Sequence, residues 1–451
     1  MWHQRVANLF FVLLLTVSSA HAGGPAGSGR WSGEMKIPAA LTVPRGATLT
    51  IAAGTRVVPL ANSAVITVNG RLLVEGTAAA PVVFQAPAGW QGIQFVDGDA
   101  GSRIAHARFS RAATAIVSTA TLFSLANSEF HGCESAVKLV REASPVIENS
   151  WFVDNGIGID SEMKSAPTIR GNRFSGHTQA AILASHSSRG TISGNRFVEN
   201  RQGIDLIQRF DGLIADNTFN ANETAIHCNQ TQETPRIEGN RFEGNRLAIA
   251  TVSYAHPVLM QNRFVENETA VHNDQFGLAT IEHNLFRGNG TALYNNRRSS
   301  PRVRLNRFEG NRLAIFCDYS SYPEVRQNNF SGNAMGIKLG LFQSVDWERR
   351  YGSKPMVQRE AAGRNGKSPL LNIASASGDA LLDASNNWWG KDTAQMAMVG
   401  ERGNVAIFHD GYDQPEVSYE GYGPESYLLD RIKYAPWLKD AVPGAGAREK
   451  P

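Results

Sequence analysis

The sequence predicts an all-β protein whose chain winds into one elongated solenoid, a right-handed parallel β-helix with coils of about 22 residues. The first observation is a phrase that recurs along the chain: Asn, any residue, an aromatic residue, two more residues, Asn, and then a small residue before an aliphatic one. The segments 195–204 and 240–249 both follow it. The second observation is spacing, because the aliphatic anchors of successive phrases lie 21 to 23 residues apart. These anchors are Ile93, Ile116, Val137, Ile159, Ile182, Ile204, Ile226, Ile249, Val271, Leu293, Ile315 and Ile337.

A repeat of this length, with short alternating stretches between turn residues, is typical of three short parallel strands per coil. Leucine-rich repeats have a similar length, but they need a leucine-spaced strand that this chain lacks. Stacked coils rise by about 4.8 Å, which places each Phe of the phrase above the next and each Asn above the next. We therefore expect a continuous apolar Phe column. We expect the asparagines to satisfy buried backbone groups in the turns, where Asn tolerates left-handed geometry.

Both ends of the repeat region resemble a known family. The segment 41–95, with Val43-Pro44-Arg45-Gly46 and Gly89-Trp90-Gln91-Gly92-Ile93, is similar to the first coils of secreted pectin-lyase-like β-helix proteins. Asn386-Asn387-Trp388-Trp389-Gly390 and Tyr434-Ala435-Pro436-Trp437-Leu438 resemble their closing segment. That group includes lyases, hydrolases, epimerases, carbohydrate-binding proteins and NosD-like periplasmic proteins. The resemblance therefore implies the fold and leaves the function open.

The chain divides into four expected segments. Residues 1–22 have the features of a signal peptide, with Arg5 before an apolar run and Ala20-His21-Ala22 at the cleavage point, which predicts a secreted or periplasmic protein. The apolar run is about half the ~20 residues of a membrane-spanning helix, so no membrane span is expected. We expect an N-terminal cap and initial coils over 23–92, β-helix repeats over 93–399 with a loop insertion near 343–371, and a C-terminal cap with a tail over 400–451 that is frayed from Pro443.

Composition excludes some partners. The net charge is +3 and the basic residues are scattered, which gives little attraction for a phosphate backbone, so nucleic acid is not an expected partner. Three cysteines are too few for a disulfide scaffold. Cys228 and Cys317 each follow an inward anchor by two residues and are four coils apart, about 19 Å. That distance exceeds the ~7 Å limit for bridging, so both are expected to be reduced and interior in a monomer.

Two outward columns of one sheet carry the candidate functional residues. Side chains alternate between faces along a strand, so the residues one and three places after an inward anchor point outward. The first column is Gln94, Val117, Lys138, Asp160, Leu183, Asp205, His227, Ala250, His272, Tyr294, Phe316 and Lys338. The second is Glu162, Ser185, Ile207, Asn229, Val252, Asp274, Asn296 and Asp318. This mixture of carboxylates, imidazoles, amides and rings differs from the Arg and Glu found elsewhere in the repeats.

Such a face suits sugar recognition, because rings stack on the apolar side of a pyranose and planar polar groups bind its hydroxyls. Tyr294 and Phe316 are the expected stacking pair, and Lys338 would favour an anionic end. The candidate substrate-binding residues are Asp205, His227, His272, Asp274, Tyr294, Asn296, Phe316, Asp318 and Lys338. A solvated sheet without a ligand is the alternative, since strands favour aromatic and β-branched residues in any case.

An enzyme is the second hypothesis. Glycoside hydrolysis needs two carboxylates about 5 to 10 Å apart, and Asp274 with Asp318, two coils apart, could supply them. His272 could act as a base in lyase or epimerase chemistry. On this hypothesis the insertion near 343–371 folds over Tyr294 and Phe316 to form a groove.

Motifs favour a non-catalytic protein that binds a polysaccharide or a cell-surface glycan. The Asp-Pro-His of alginate epimerases is absent, as are the Asp cluster of pectate lyases and the Asn-Thr-Asp, Asp-Asp and Gly-His-Gly motifs of polygalacturonases. Arg431-Ile432-Lys433 resembles the Arg-Ile-Lys of polygalacturonases, but without those motifs the match is a coincidence. A metal centre is not expected, because His227 and His272 are two coils apart, about 9.6 Å, whereas two nitrogens on one ion lie within about 4 Å. No cofactor is expected either.

Overall fold

The computed structural model describes residues 27–85, 88–351, 381–418 and 426–448. Within them the chain forms three long parallel sheets, and each coil adds one strand to each sheet in turn. Sheet 1 consists of Gly29–Trp31, Thr48–Ala52, Arg71–Glu75, Ser102–Ala105, Phe123–Ala126, Val146–Glu148, Thr168–Arg170, Arg189–Ser193, Asp211–Ala215, Arg236–Glu238, Val258–Met260, Thr280–Glu282, Arg302–Arg304 and Glu324–Arg326.

Sheet 2 follows sheet 1 around each coil. It consists of Glu34–Ile37, Arg56–Pro59, Val82–Phe84, Ala107–Ser110, Glu129–His131, Trp151–Val153, Arg173–Ser175, Arg196–Val198, Thr218–Asn220, Arg241–Glu243, Arg263–Val265, Leu285–Arg287, Arg307–Glu309 and Asn329–Ser331.

Sheet 3 completes each coil and gains one extra strand from beyond the repeats. It consists of Leu41–Val43, Ile66–Val68, Ile93–Val96, Thr114–Thr119, Ser135–Val140, Ile157–Ser161, Ala180–Ser185, Gln202–Ile207, Thr224–Asn229, Leu247–Val252, Thr269–Asp274, Thr291–Asn295, Leu313–Cys317, Met335–Leu339 and Phe408–His409. The predicted all-β parallel solenoid is therefore confirmed.

Short elements close the C-terminal end. Helix α1 spans Val345–Tyr351, a 3-10 turn spans Gly390–Asp392, and helix α2 spans Thr393–Val399. Leu381–Asp383 pairs in parallel with Arg431–Lys433, and Glu416–Val417 pairs antiparallel with Tyr427–Leu428. None of the described helices is long and apolar enough to cross a membrane.

The predicted Phe column runs through the core. Consecutive rings lie 4.3 to 5.0 Å apart between centroids with interplanar angles of 2° to 13°, which is stacked packing along the whole axis. The column consists of Phe84, Phe109, Phe130, Phe152, Phe174, Phe197, Phe219, Phe242, Phe264, Phe286, Phe308, Phe330 and Trp389. Trp389 continues the column past the last repeat, so it closes the apolar core with a larger ring.

Two buried asparagine ladders flank this core. In the first, the side-chain oxygen of Asn240 accepts hydrogen bonds from the backbone and side-chain nitrogens of Asn217, at 2.9 and 3.0 Å. Its side-chain nitrogen donates to the carbonyl of Ile214 at 2.9 Å. The first ladder is Asn172, Asn195, Asn217, Asn240, Asn262, Asn284, Asn306, Asn328 and Asn387, and the second is Asn155, His177, Asn200, Asn222, Asn245, Asn267, Asn289, Asn311 and Asn333. The predicted role in satisfying turn backbone is confirmed.

The expected left-handed geometry of these asparagines is wrong. Positive φ angles fall on the residue before each one, for example 56° at Asp216, 66° at Gly239 and 57° at Gln261. The turn therefore uses one residue for the left-handed bend and the next for the hydrogen bonds, because a ladder side chain must point into the core to reach the adjacent coil.

His177 replaces an asparagine in the second ladder. Its Nδ1 lies 2.8 Å from the side-chain oxygen of Asn200, and its Nε2 lies 3.4 Å from the side-chain nitrogen of Asn155. The first contact requires a proton on Nδ1, and the second requires an unprotonated Nε2 that accepts a hydrogen bond. The hydrogen bonds of the ladder are therefore those of a neutral imidazole. Gly158 makes room for the imidazole, since a Cβ there would lie 2.9 Å from Nε2. Burial lowers the pKa of His177 to about 4.

We expect this histidine to make stability depend on pH. Its pKa falls from about 6.5 in the unfolded chain to about 4 in the fold, so its contribution is complete above pH 6.5 and is lost as the pH falls toward 4. Urea unfolding of wild type and His177→Asn at pH 7.5 and pH 4.5 should show wild type losing about 2 to 3 kcal/mol more. Equal losses in the two proteins would contradict a neutral, buried imidazole.

A second polar feature lies inside sheet 3. The hydroxyl of Thr251 donates to Asn273 at 2.6 Å, and the side-chain nitrogen of Asn273 donates to Asn295 at 2.8 Å. The side-chain nitrogen of Asn295 donates in turn to the carbonyl of Phe316 at 3.1 Å. These buried side chains tie neighbouring coils together directly beneath the outer face described below.

The three cysteines are buried and form no disulfide. Burial raises the pKa of Cys133 to about 11 and also raises the pKa values of Cys228 and Cys317, so the thiols are poor nucleophiles. The prediction of reduced, interior cysteines is confirmed for Cys228 and Cys317.

The end of the chain contradicts the expected frayed tail over its described part. Val442 and Asn329 exchange two hydrogen bonds, at 2.8 and 3.0 Å. Further along, the backbone nitrogen of Gly446 donates to the carbonyl of Leu305, and that of Arg448 donates to the side chain of Gln261. The segment 442–448, the tail strap, therefore runs back across four coils and is held by backbone bonds that composition does not reveal.

Candidate functional site

The outer face of sheet 3 has the register expected from the sequence. Each member of the first predicted column pairs with the next across neighbouring strands, from Gln94 beside Val117 to Phe316 beside Lys338. The second column is in register from Ser185 to Asp274. The candidate residues therefore share one face, although they fall into separate clusters along it.

In the N-terminal half of the face, the charged side chains pair with one another. Lys138 Nζ donates to carboxylate oxygens of Asp160 and Glu162, both at 2.8 Å. Two coils further on, His227 Nδ1 lies 2.8 Å from Asp205 Oδ1. Asp205 is buried, so its carboxylate serves chiefly to orient the His227 ring. The apolar Leu183 lies between the two clusters.

The C-terminal half of the face carries a run of rings. The edge of His272 contacts Tyr294, with ring centroids 4.8 Å apart and planes at 79°, and Tyr294 contacts Phe316 at 4.7 Å with planes at 31°. All three side chains are half-buried, and Lys338, the next residue of the column, is exposed. Burial lowers the pKa of His272 and raises that of Tyr294, so both rings are neutral at neutral pH. The run presents a mostly apolar strip about three coils long.

Asp274 is not a free carboxylate. Arg297 in the next coil binds both of its oxygens, through Nε at 2.6 Å and through the terminal nitrogen NH2. Asp274 is 6 % exposed and also accepts the backbone N–H of Gln275. The bidentate arginine occupies the lone pairs of this carboxylate that a sugar hydroxyl would use.

Asp318 has the opposite environment. Its Oδ1 accepts the backbone N–H groups of Tyr319 and Phe342, each at 2.8 Å. Burial raises the pKa of Asp318 to about 6, and no arginine or lysine pairs with it among the described residues. Asn296 lies between the two aspartates, and its side-chain oxygen is buried without a hydrogen-bond partner in the described chain. The two predicted catalytic carboxylates therefore differ sharply in their partners, since an arginine binds Asp274 and backbone N–H groups bind Asp318.

A recess beside the rings was not predicted. It has a volume of about 300 Å³ and lies at the turn that follows sheet 3 in successive coils. Its lining consists of Gln275, Phe276, Arg297, Arg298, Tyr319, Trp347 and Glu348. Tyr254 stacks on Phe276 at 4.9 Å, and Tyr319 stacks on Phe342 at 4.5 Å, so aromatic pairs flank both sides of it. The recess extends the apolar strip sideways into a concave surface.

The sequence did contain a signal for this recess. Aromatic residues recur four or five places after the anchors, at Tyr254, Phe276, Tyr319 and Phe342, in a row parallel to the two columns. These residues lie in the turns after the strands, where the alternation of faces along a strand no longer predicts which side chains point outward. A second recess of about 440 Å³ lies on the same row of turns, lined by His186, Ser187, Gln208, Arg209, Gln230 and Gln232. It is polar and has no aromatic wall.

Helix α1 forms one wall of the aromatic recess. Glu348 pairs with Arg298 and accepts the hydroxyl of Ser320 at 2.9 Å, and it is 7 % exposed. This buried pair fixes the start of the predicted insertion against the turns of sheet 3, where Trp347 reaches the recess. The rest of the insertion near 343–371 lies outside the described residues from 352 onward, as does the predicted signal peptide at 1–22.

The chemistry available at the face follows from these contacts. Neutral rings, amides and charge-compensated arginines suit the stacking and hydroxyl binding that sugars need. The parts of the chain that the structure describes contain no group of three or more His, Cys, Asp or Glu side chains that could hold a metal ion. His227 and His272 are separated by the strand that carries Ala250, so they lie two coils apart, too far for both imidazoles to bind one copper ion.

Comparisons with known proteins agree with this architecture. A family model described as a right-handed β-helix region matches residues 114–268, and one described as a periplasmic copper-binding protein (NosD) matches residues 232–353. No curated protein matches the chain.

The solved structures that are similar to the chain, all at low identity, include a lyase and an epimerase. The alginate lyase from Paenibacillus sp. str. FPU-7 is 13% identical with a TM-score of 0.36, over 56% of this chain and 93% of that chain. A double mutant of the periplasmic alginate epimerase AlgG is 12% identical with a TM-score of 0.27, over 70% of this chain and 76% of that chain.

The class of protein is now defined: the chain is a parallel β-helix, and the first family match makes it right-handed. The two family matches together extend from residue 114 to residue 353 and lie within the coils that form the face and the recess. This agrees with the pectin-lyase-like resemblance of the sequence. For the copper named in the second match, the described residues offer no ligand set.

Proposed function

We propose that this protein binds an extended polysaccharide along the outer face of sheet 3 without cleaving it, in the periplasm or outside the cell. One observation carries the proposal: the rings of His272, Tyr294 and Phe316 lie in register beside a recess walled by further aromatic side chains. Rings repeated at the coil spacing of about 4.8 Å offer successive stacking positions to a chain of sugars. The periplasmic description of the NosD match supports the location.

The polar residues around the rings offer different contacts to the sugar. Asn296 and Gln275 offer amide groups next to the rings, and the outer edge of Arg297 remains exposed after it pairs with Asp274. Lys338 at the end of the strip carries no described ion pair and would favour an anionic sugar. Because the arginines at the recess are compensated by Asp274 and Glu348, the strip itself should accept neutral as well as acidic chains.

Replacing Tyr294 and Phe316 together by Ala should lower retention on a polysaccharide array at least tenfold. Each lost stacking contact removes roughly 1 kcal/mol of binding free energy. The melting temperature should change little, since both rings lie outside the core. The matched control is Val117→Ala with Leu183→Ala, two apolar residues of the same column outside the strip. Equal retention by both double variants would contradict the proposal.

Hydrolysis is the second candidate, favoured by the contrast between the two carboxylates. Burial raises the pKa of Asp318 to about 6, within the range of a general acid, whereas Arg297 binds both oxygens of Asp274. A reducing-end assay and an unsaturated-sugar assay on the same polysaccharide panel decide between the candidates. Retention without product supports the binding function. Product that forms with wild type and disappears in Asp318→Asn would show that the protein is an enzyme instead.

A further inference from the structure

Sheet 2 presents an arginine-rich outer face on a different side of the solenoid. Eight arginines lie on its strands, and six of them have a partner. Five pair with glutamates, namely Arg56 with Glu34, Arg108 with Glu129, Arg241 with Glu243, and Arg287 and Arg307 with Glu309. The sixth, Arg263, donates to the carbonyl of Arg448 in the tail strap.

Arg173 and Arg196 are the two exceptions. They lie directly beside one another in adjacent strands, and both side chains are exposed. Among the described residues, neither has a carboxylate within ion-pair distance. Trp151 is the neighbour of Arg173 on the preceding strand and is 54 % exposed, more than any other described tryptophan. The three residues form one outward column, the Trp151 column.

This arrangement costs stability in the free protein. The two guanidinium groups extend from neighbouring strands about 4.8 Å apart and repel each other, and an exposed indole adds apolar surface. Elsewhere on the same sheet glutamates offset the charge. The repulsion would be relieved by one anion placed between Arg173 and Arg196, because guanidinium groups bind carboxylate or sulfate oxygens in pairs.

We propose that the Trp151 column is a second glycan site, selective for a pyranose that carries a carboxylate or a sulfate. The sugar ring stacks on Trp151, and its anionic group lies between Arg173 and Arg196. The column is bounded by Glu129 on one side and Thr218 on the other, so the site has room for one or two sugar units. The same boundaries disfavour a nucleic-acid strand, which needs a longer basic track.

The test measures binding in a protein whose sheet 3 site is already removed. Tyr294→Ala with Phe316→Ala serves as the background, and affinity electrophoresis uses polygalacturonate, dextran sulfate, uncharged dextran and single-stranded DNA as probes. Adding Arg173→Gln with Arg196→Gln should weaken binding to an anionic glycan at least tenfold, and adding Trp151→Ala should weaken it severalfold. Arg241→Gln, the control on the same sheet, should change it less than twofold.

The outcomes separate this site from the one on sheet 3. Loss of binding to polygalacturonate identifies a carboxylate ligand, and loss of binding to dextran sulfate identifies a sulfate ligand. Either result supports the proposal whether or not sheet 3 binds a glycan. The proposal is overturned if the background protein binds neither anionic polymer, if Arg241→Gln is as damaging as the double arginine variant, or if only the DNA is bound.

Discussion

Replacing Phe242 by Ala should destabilise the protein by about 3 to 5 kcal/mol, because the change removes a fully buried ring from the middle of a close-packed column. Phe242 is stacked between Phe219 and Phe264, at 4.9 Å on each side with planes 7° apart. The neighbouring rings are fixed to their own strands by backbone pairing, so they cannot move along the axis to fill the gap. The cavity should therefore remain.

The measurement is urea unfolding followed by far-ultraviolet circular dichroism. Trp151→Ala is the matched control, since it also removes a large ring from sheet 2 but from the exposed side, and its cost should be below about 1 kcal/mol. If the two variants unfolded at the same urea concentration, the stacked column would not be the main apolar contribution to the fold.

Replacing Asn240 by Ala should lower the free energy of unfolding by a similar amount, about 3 to 5 kcal/mol, for a different reason. The change leaves buried polar groups without hydrogen-bond partners. The side-chain oxygen is an acceptor for the backbone N–H of Asn217, and the side-chain nitrogen is a donor to the carbonyls of Ile214 and Glu238. The N–H of Asn217 and the carbonyl of Ile214 cannot reach water, because both residues are buried between neighbouring coils.

Asn220→Ala is the control for this loss. Asn220 lies in the preceding coil and is half-buried, and its side chain makes one long hydrogen bond, at 3.4 Å, to the carbonyl of Glu243. Its replacement should cost less than about 1 kcal/mol. Unfolding of Asn240→Ala at the same urea concentration as Asn220→Ala would show that the ladder groups find other partners.

Much of the architecture could be predicted because each residue of the phrase has one fixed environment. The spacing of the anchors placed Phe242 in a column and Asn240 in a ladder, and both positions are confirmed. The outward column from His272 to Lys338 also has the predicted register. A parallel sheet with constant coil length permits this, since a one-residue shift would reverse every face.

What the side chains do outside the strands could not be predicted in this way. Arg297 turns back onto Asp274, and Trp347 reaches the recess from a helix that has no place in the repeat. Both contacts depend on turn geometry that strand alternation does not describe. Asn273 and Asn295 each follow an inward anchor by two positions, so the sequence places both side chains in the interior. Their hydrogen bond was harder to predict, because interior positions of the repeat are usually apolar.

The tail strap has a consequence for the kinetics of the protein. It follows in sequence every coil it crosses, from the one that contains Gln261 to the one that contains Asn329, so it can dock only after those coils have stacked. Contacts made after the transition state for folding leave the folding rate almost unchanged and slow unfolding instead. We therefore expect the strap to act as a latch on the last coils, so that its removal would speed unfolding and leave the folding rate almost unchanged.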